Sequence, residues 1–227
     1  MLPIRDINPS RTTPWVNYAL IVVNIGFFVW ELSLGVNLGG TFERIGFIPS
    51  RFWITGFWVP DGISMLVSMF LHGGFLHLGS NMLYLWIFGD NIEDRMGHGK
   101  YFVFYLACGV AATFAHAVTN SSSTVPAVGA SGSIAGVLGA YLVLFPHAKV
   151  TTFIPIGFFL ILRELPALIV LGLWFVFQLF TGVASLGGPE AGGVAWFAHI
   201  GGFVAGLLLV STFTMTGPKA SAERYFR

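Results

Sequence analysis

Apolar residues in this chain fall into long runs, separated by shorter stretches that are rich in glycine, proline and polar residues. Six of the runs are candidate membrane spans, because a helix needs about 20 mainly apolar residues to cross a bilayer. They cover residues 15–34, 75–88, 101–118, 130–145, 165–183 and 194–215, and the apolar residues 65–71 lead into the second. The pattern predicts an all-α membrane protein whose six transmembrane helices form one bundle.

Two connecting segments have a character of their own. Residues 35–63 combine glycine, proline and charged residues with many aromatic side chains, which is typical of a structured first loop at the membrane interface. Residues 153–162 are apolar but too short to span a bilayer, and they contain Pro155 and Gly157. We therefore expect an interfacial segment there.

The fourth run is shorter than a full span. At 1.5 Å per residue, residues 130–145 reach roughly 24 Å, less than the roughly 30 Å of the hydrocarbon core. One end must then lie below the membrane surface. If that end is the beginning, Ser131 lies in a water-accessible dip that the surrounding protein shields from lipid.

The flanking segments and the basic residues predict a topology. Residues 1–14, which contain three prolines, and residues 216–227 are expected to be polar tails of a membrane domain at residues 15–215. Of the 11 lysines and arginines, Arg44 and Arg51 fall on one side of the bundle and the other nine on the opposite side. Basic residues concentrate on the cytosolic side. We expect a multi-pass protein of a prokaryotic plasma membrane with both termini in the cytosol.

Composition agrees with a membrane location and excludes several functions. Of the 227 residues, 55% are hydrophobic and 9% are charged, against roughly 25% charged in soluble domains. A net charge of +1 argues against nucleic-acid binding, which needs a clustered basic face. The single cysteine, Cys108, allows no disulfide, and the scattered histidines form no His-Glu-x-x-His motif. We expect neither a metal nor another cofactor.

Polar residues capable of chemistry lie near the start of the second, fourth and sixth spans, which all begin on the predicted exterior side. They are His77 and Asn81, Ser131, and His199. Polar groups inside spans are costly and tend to be functional, with partners in the bundle interior. His77 and Asn81 are four residues apart and share one helix face.

Small residues suggest how these spans pack. Gly132 and Gly136 on the fourth span match Gly202 and Gly206 on the sixth, and such pairs let helices approach closely. Runs of small residues most often serve packing alone. Here, close packing would also bring the His199 imidazole to the Ser131 hydroxyl, as activation of a serine nucleophile requires.

Four motifs together resemble the rhomboid intramembrane serine proteases, in the right order and over residues 15–215. They are Gly129-Ala130-Ser131-Gly132, His77-x-x-x-Asn81, Ala198-His199-Ile200-Gly201-Gly202 and Gly89-x-x-x-Glu93-x-x-x-Gly97. The resemblance implies a Ser-His dyad, with Ser131 as nucleophile and His199 as base. It implies an oxyanion site formed by the Ser131 N–H, His77 and Asn81, and structural roles for the motif glycines and Glu93. The implied substrates are single-pass membrane proteins, cut in or near the bilayer.

The chain departs from the family pattern at two points. Many members have an aromatic residue one turn after the nucleophile, where this chain has Ala135, and many have a Trp-Arg pair in the first loop that is absent here. No acid is placed to orient His199, because Asp90, Glu93 and Asp94 fall at the other membrane face. Glu190, on the correct side, is expected to be a solvated charge.

Two other functions are alternatives to a protease. A catalytically inactive rhomboid-like protein could bind or escort membrane helices, although such relatives would be recognised by loss of Ser131 or His199. A small transporter or channel would need charged residues along a continuous path, whereas Glu31 is nearly the only acid at membrane depth.

Overall fold

The computed structural model describes residues 1–56, 61–157, 159–186 and 195–214. These residues are mostly helical, as predicted. The helices are α1 (Trp15–Ser33), α2 (Leu38–Ile45), α3 (Pro49–Thr55), α4 (Asp61–Val67), α5 (Phe75–Met96), α6 (His98–Thr119), α7 (Ser131–Leu144), α8 (Ala167–Ala184) and α9 (Trp196–Phe213). The predicted tail at residues 216–227 and Glu190 lie outside the described residues.

Four of the described helices are long and apolar enough to cross a membrane: α1, α6, α8 and α9. A fifth span is possible if α4, the short turn of 3₁₀-helix after it and α5 count together, although they meet at a bend of 82°. Helix α7 has 14 residues and is too short by itself. The chain is thus a multi-pass membrane bundle, and the number of six spans stays a prediction.

The first loop is structured. After a turn of 3₁₀-helix at Gly35–Asn37 come α2 and α3. Phe47 and Phe52 are buried there with Met65 of α4 and Ala117 of α6, and these side chains form a small core separate from the main one. This core fixes the first loop against α6.

A small antiparallel sheet was not predicted. Its strands are β1 (Leu2–Asp6), β2 (Lys149–Ile156) and β3 (Phe159–Pro166), in the order β1-β2-β3. Residues of the expected interfacial segment at 153–162 belong to β2 and β3, and part of the expected N-terminal tail is an edge strand. Pro3 fits because an edge strand tolerates the missing N–H, and the register shifts between Pro3 and Arg5.

Helix α7 lies at the centre of the bundle and packs against α5, α6, α8 and α9. Its closest neighbour is α9. A Cβ atom added to Gly202 would overlap the carbonyl oxygen of Gly132, and one added to Gly206 would overlap that of Gly136. The two backbones are therefore in direct contact, and larger residues at these glycines would separate α7 from α9.

The end of the bundle away from the start of α7 has a polar network, here called the opposite-end network. Glu93 of α5 accepts the N–H groups of Val16 and Asn17 at 3.0 and 2.7 Å. It thereby caps α1, whose first turn has no capping side chain of its own. Other bonds of the network join Tyr101 to Asn17, Asn8 to Asn91, and Tyr141 to Asp6.

Candidate active site

The N-terminal ends of α5, α7 and α9 converge, and they bring together the polar residues singled out in the sequence. His199 Nε2 lies 2.7 Å from Ser131 Oγ, which is hydrogen-bond distance. The two residues are 68 positions apart in the chain. Their contact depends on the close glycine packing of α7 on α9, because both side chains project from the first turn of their helices.

Ser131 begins α7. The preceding Gly129 has a φ of 135°, which favours glycine, and its N–H donates to the carbonyl of Ser68 at 2.8 Å. No side chain caps the start of α7. The first N–H groups of a helix have no partner within it. The Ser131 N–H is therefore placed, like the positive end of the helix dipole, to face an anion.

His77 lies on the first turn of α5, against the backbone before Ser131. A Cβ atom added to Gly129 would come within 2.7 Å of both the Cε1 and Nε2 atoms of His77, and within 3.5 Å of Ser131 Oγ. Asn81 follows one turn later and is 6% exposed. Its Nδ2 has no hydrogen-bond partner among the described residues. His77 and Asn81 thus supply polar groups beside the serine hydroxyl, and one of them is an unused donor.

Gln178 of α8 makes a polar contact with His199 that the sequence did not suggest. Its Oε1 lies 2.8 Å from His199 Nδ1, and the side chain is buried. The available signal was a lone amide in the apolar run 165–183, but only the rotation of α8 about its axis shows that the amide faces His199.

Aromatic rings also surround His199. The centroids of Trp174 and Trp196 lie 6.1 and 6.2 Å from its ring. Trp174 and Phe175 of α8 also pack against Phe203 of α9. Aromatic packing near His199 therefore comes from α8 and α9 rather than from position 135 on α7.

A second buried group adjoins the site through His77. His72 is completely buried, and its ring centroid is 5.2 Å from that of His77. Glu31, at the end of α1, accepts the His72 N–H at 2.9 Å. In contrast, Asp90, Glu93 and Asp94 lie near the other end of α5 and make no contact with His199.

A cavity of about 30 Å³ opens beside Ser131, between α6, α7 and the turn before α5. Ser68, His116, Gly129 and Ser133 are among the residues that line it. Its volume is enough for about two water molecules. No group of three metal-ligating side chains occurs among the described residues. The arrangement suits acyl transfer by a hydroxyl, with room for water nearby.

Comparisons with known proteins show the family of the chain. The Rhomboid domain family model matches residues 60–216. Rhomboid protein 1, mitochondrial, of Saccharomyces cerevisiae is 29% identical over 84% of this chain and 51% of its own length. Rhomboid protease GluP of Bacillus subtilis is 29% identical over 92% of the chain and 36% of its own. Presenilin-associated rhomboid-like protein A, mitochondrial, of Danio rerio is 34% identical over 61% of this chain and 37% of its own length.

The chain therefore spans about half, or less, of the length of these relatives. Two of the three are mitochondrial by name, so they do not favour the prokaryotic plasma membrane that we expected. The Rhomboid domain match includes every residue of the candidate site, and the helices around that site are those of a multi-pass membrane protein. The chain belongs to the rhomboid family.

Proposed function

We propose that this protein is an intramembrane serine endopeptidase with Ser131 and His199 as its catalytic dyad. The 2.7 Å contact between Ser131 Oγ and His199 Nε2 is the main support. A serine hydroxyl is a weak nucleophile until an adjacent base accepts its proton, and imidazole at hydrogen-bond distance is the commonest such base. The family includes a relative that is named a protease.

In the proposed reaction, Ser131 Oγ attacks the carbonyl carbon of the scissile bond while His199 Nε2 takes its proton. The negative charge that forms on the carbonyl oxygen is met by the Ser131 N–H, His77 and the free Nδ2 of Asn81. His199 then gives the proton to the leaving amine and the C–N bond breaks. Water next hydrolyses the acyl-enzyme by the reverse proton transfers.

The proposed substrates are single-pass membrane proteins. Three features support this class: the site lies within a membrane bundle, α7 is too short to cross a bilayer, and Ser131 lies at its beginning. The asymmetry of lysine and arginine supports cytosolic termini and an exterior site.

In the alternative proposal, the protein is inactive and binds membrane helices. The mitochondrial rhomboid-like relatives keep that alternative open, and the intact Ser131–His199 pair favours the protease.

The test is cleavage of a single-pass reporter by the purified protein in liposomes. We expect Ser131→Ala and His199→Ala each to lower the cleavage rate at least about 1000-fold. The matched controls Ser211→Ala and His147→Ala, which lie away from the site, should cleave normally. A serine-directed phosphonate should label Ser131 alone.

Full cleavage by Ser131→Ala would refute the protease proposal. Absence of cleavage and of labelling in the wild-type protein, together with retained binding of the reporter helix, would favour the inactive alternative.

A further inference from the structure

Both nitrogen atoms of the His199 ring have partners. Nε2 faces Ser131 Oγ at 2.7 Å, and Nδ1 faces Gln178 Oε1 at 2.8 Å. The three side chains come from three different helices, α7, α9 and α8, so the row Ser131–His199–Gln178 exists only in the folded bundle.

The chemistry of an amide oxygen determines what this contact does. Oε1 of glutamine can only accept a hydrogen bond, so the proton of a neutral His199 must be on Nδ1. The lone pair then remains on Nε2, where it can accept the proton of the Ser131 hydroxyl. In the other tautomer, an N–H on Nε2 would point at Ser131 Oγ and could not act as a base.

We propose that Gln178 is a positioning residue that holds His199 in its base-competent tautomer and orientation. This inference rests on the proposed protease function, and it gives Gln178 the orienting role that no acid among the described residues is placed to fill. Gln178 is 5% exposed. Trp174, four residues earlier on α8, packs its ring beside that of His199. The amide therefore has little freedom to rotate away.

A neutral partner suits this site. A carboxylate buried beside a neutral imidazole loses its hydration and is costly unless the imidazole becomes charged. An amide makes the same hydrogen bond without that cost. However, the amide lacks the negative charge with which a carboxylate would stabilise the imidazolium that forms when Ser131 attacks.

Three variants test the proposal, with wild type and the lipid-facing control Phe180→Leu, whose side chain is 73% exposed. In Gln178→Leu, which removes the acceptor at similar size, we expect kcat to fall about 10- to 100-fold with KM nearly unchanged. Gln178→Glu restores the acceptor, so it should recover most of kcat. Its carboxylate favours the protonated imidazole, so the acid limb of the pH–rate profile should move to higher pH. Gln178→Asn keeps the amide on a side chain that is one carbon shorter, so its kcat should lie between those of Gln178→Leu and wild type.

The tautomer itself is measurable without activity. In protein labelled with ¹⁵N-histidine, the His199 signals are identified by their loss in His199→Gln, and ¹⁵N shifts separate protonated from unprotonated ring nitrogens. We expect one tautomer, with the proton on Nδ1, in wild type and Phe180→Leu, and a mixture in Gln178→Leu. Thermal unfolding of each variant shows whether the fold is kept.

The possible failures are distinguishable. If Ser131→Ala still cleaves the reporter, the protease proposal fails, whatever Gln178 does. If Ser131→Ala is inactive but Gln178→Leu keeps the wild-type kcat and tautomer, the role of Gln178 is refuted. A proton on Nε2 in wild type would refute it as well, because the amide would then present its NH₂ group to His199.

Discussion

The two ends of the bundle bury polar side chains in opposite ways. At the site end, Asn81 Nδ2, His72 Nε2 and Glu31 Oε2 have no hydrogen-bond partner among the described residues. In the opposite-end network, the buried groups of Glu93, Asn17 and Tyr101 are paired within the protein. Two groups near it, Asp90 Oδ1 and Thr151 Oγ1 of β2, have no hydrogen-bond partner among the described residues.

The difference indicates what each end is for. An unpaired buried donor costs free energy, and the cost is recovered when a ligand accepts its hydrogen bond. Paired groups, in contrast, contribute to the fold and leave nothing for a substrate. We expect substitutions at the opposite end to change stability, and substitutions at the site end to change catalysis.

Glu93→Gln tests the structural role of the opposite end, and we expect it to have the largest effect of the changes considered. Glu93 is completely buried and caps α1 with both carboxylate oxygens, and His98 contacts one of them. Glutamine would turn an NH₂ group toward one of the N–H donors. We expect the free energy of unfolding to fall by about 3 kcal/mol. Protein that remains folded should cleave the reporter at the wild-type kcat.

Thermal unfolding in detergent and reporter cleavage together measure this. The control is Asp94→Asn, one residue along α5. Asp94 accepts two exposed hydrogen bonds from Thr12, so its loss should cost less than about 1 kcal/mol. A stable Glu93→Gln protein with impaired kcat would reverse the assignment of the two ends.

Asn81→Ala is the corresponding change at the site end. Its Nδ2 has no partner to lose, so the free energy of unfolding should stay the same or rise slightly. Removal of one oxyanion donor should lower kcat about 100-fold. The measurement is kcat for the reporter beside the thermal unfolding curve. A large loss of stability with normal kcat would show that Asn81 is structural.

The sequence predicted the site end better than the opposite end. The runs of apolar residues located the helices, and the four-residue spacing of His77 and Asn81 placed both on one face. Glycines at equal intervals on α7 and α9 indicated which faces meet. These are local or periodic signals, which a single sequence displays.

Other features depend on pairing across the chain, which the sequence does not display. Gln178 faces His199 because of how α8 is rotated, and α8 is apolar on several sides. Strand β1 pairs with β2 across more than half of the chain, and Pro3, Pro155 and Gly157 all suggested irregular structure. His72 is buried, and its N–H is bonded to Glu31 of α1, 41 positions earlier in the chain, which no local pattern indicates.

The smallest expected effect concerns Asp6, in the strand that attaches to the opposite end. The pKa of Asp6 is raised from 3.8 to about 6, mainly by burial; the hydrogen bond from Tyr141 opposes the rise, and the nearby Asp90 contributes to it. At pH values between about 4 and about 6, the folded protein therefore binds more protons than the unfolded chain. Stability should fall as pH rises from about 4 to about 6 and then level off, because the charged carboxylate is disfavoured in the fold.

Asp6→Asn should remove this slope and keep the oxygen that accepts from Tyr141. We expect the variant to gain stability relative to wild type as the pH is raised through this window, by a modest amount because Asp6 is only half-buried. Thermal unfolding of both proteins at a series of pH values measures the difference, with Glu164→Gln on the exposed β3 strand as control. Parallel curves for Asp6→Asn and wild type would show that the carboxyl is as well solvated in the fold as in the unfolded chain. Asp6 would then lie at the edge of the opposite-end network and contribute nothing to its pH dependence.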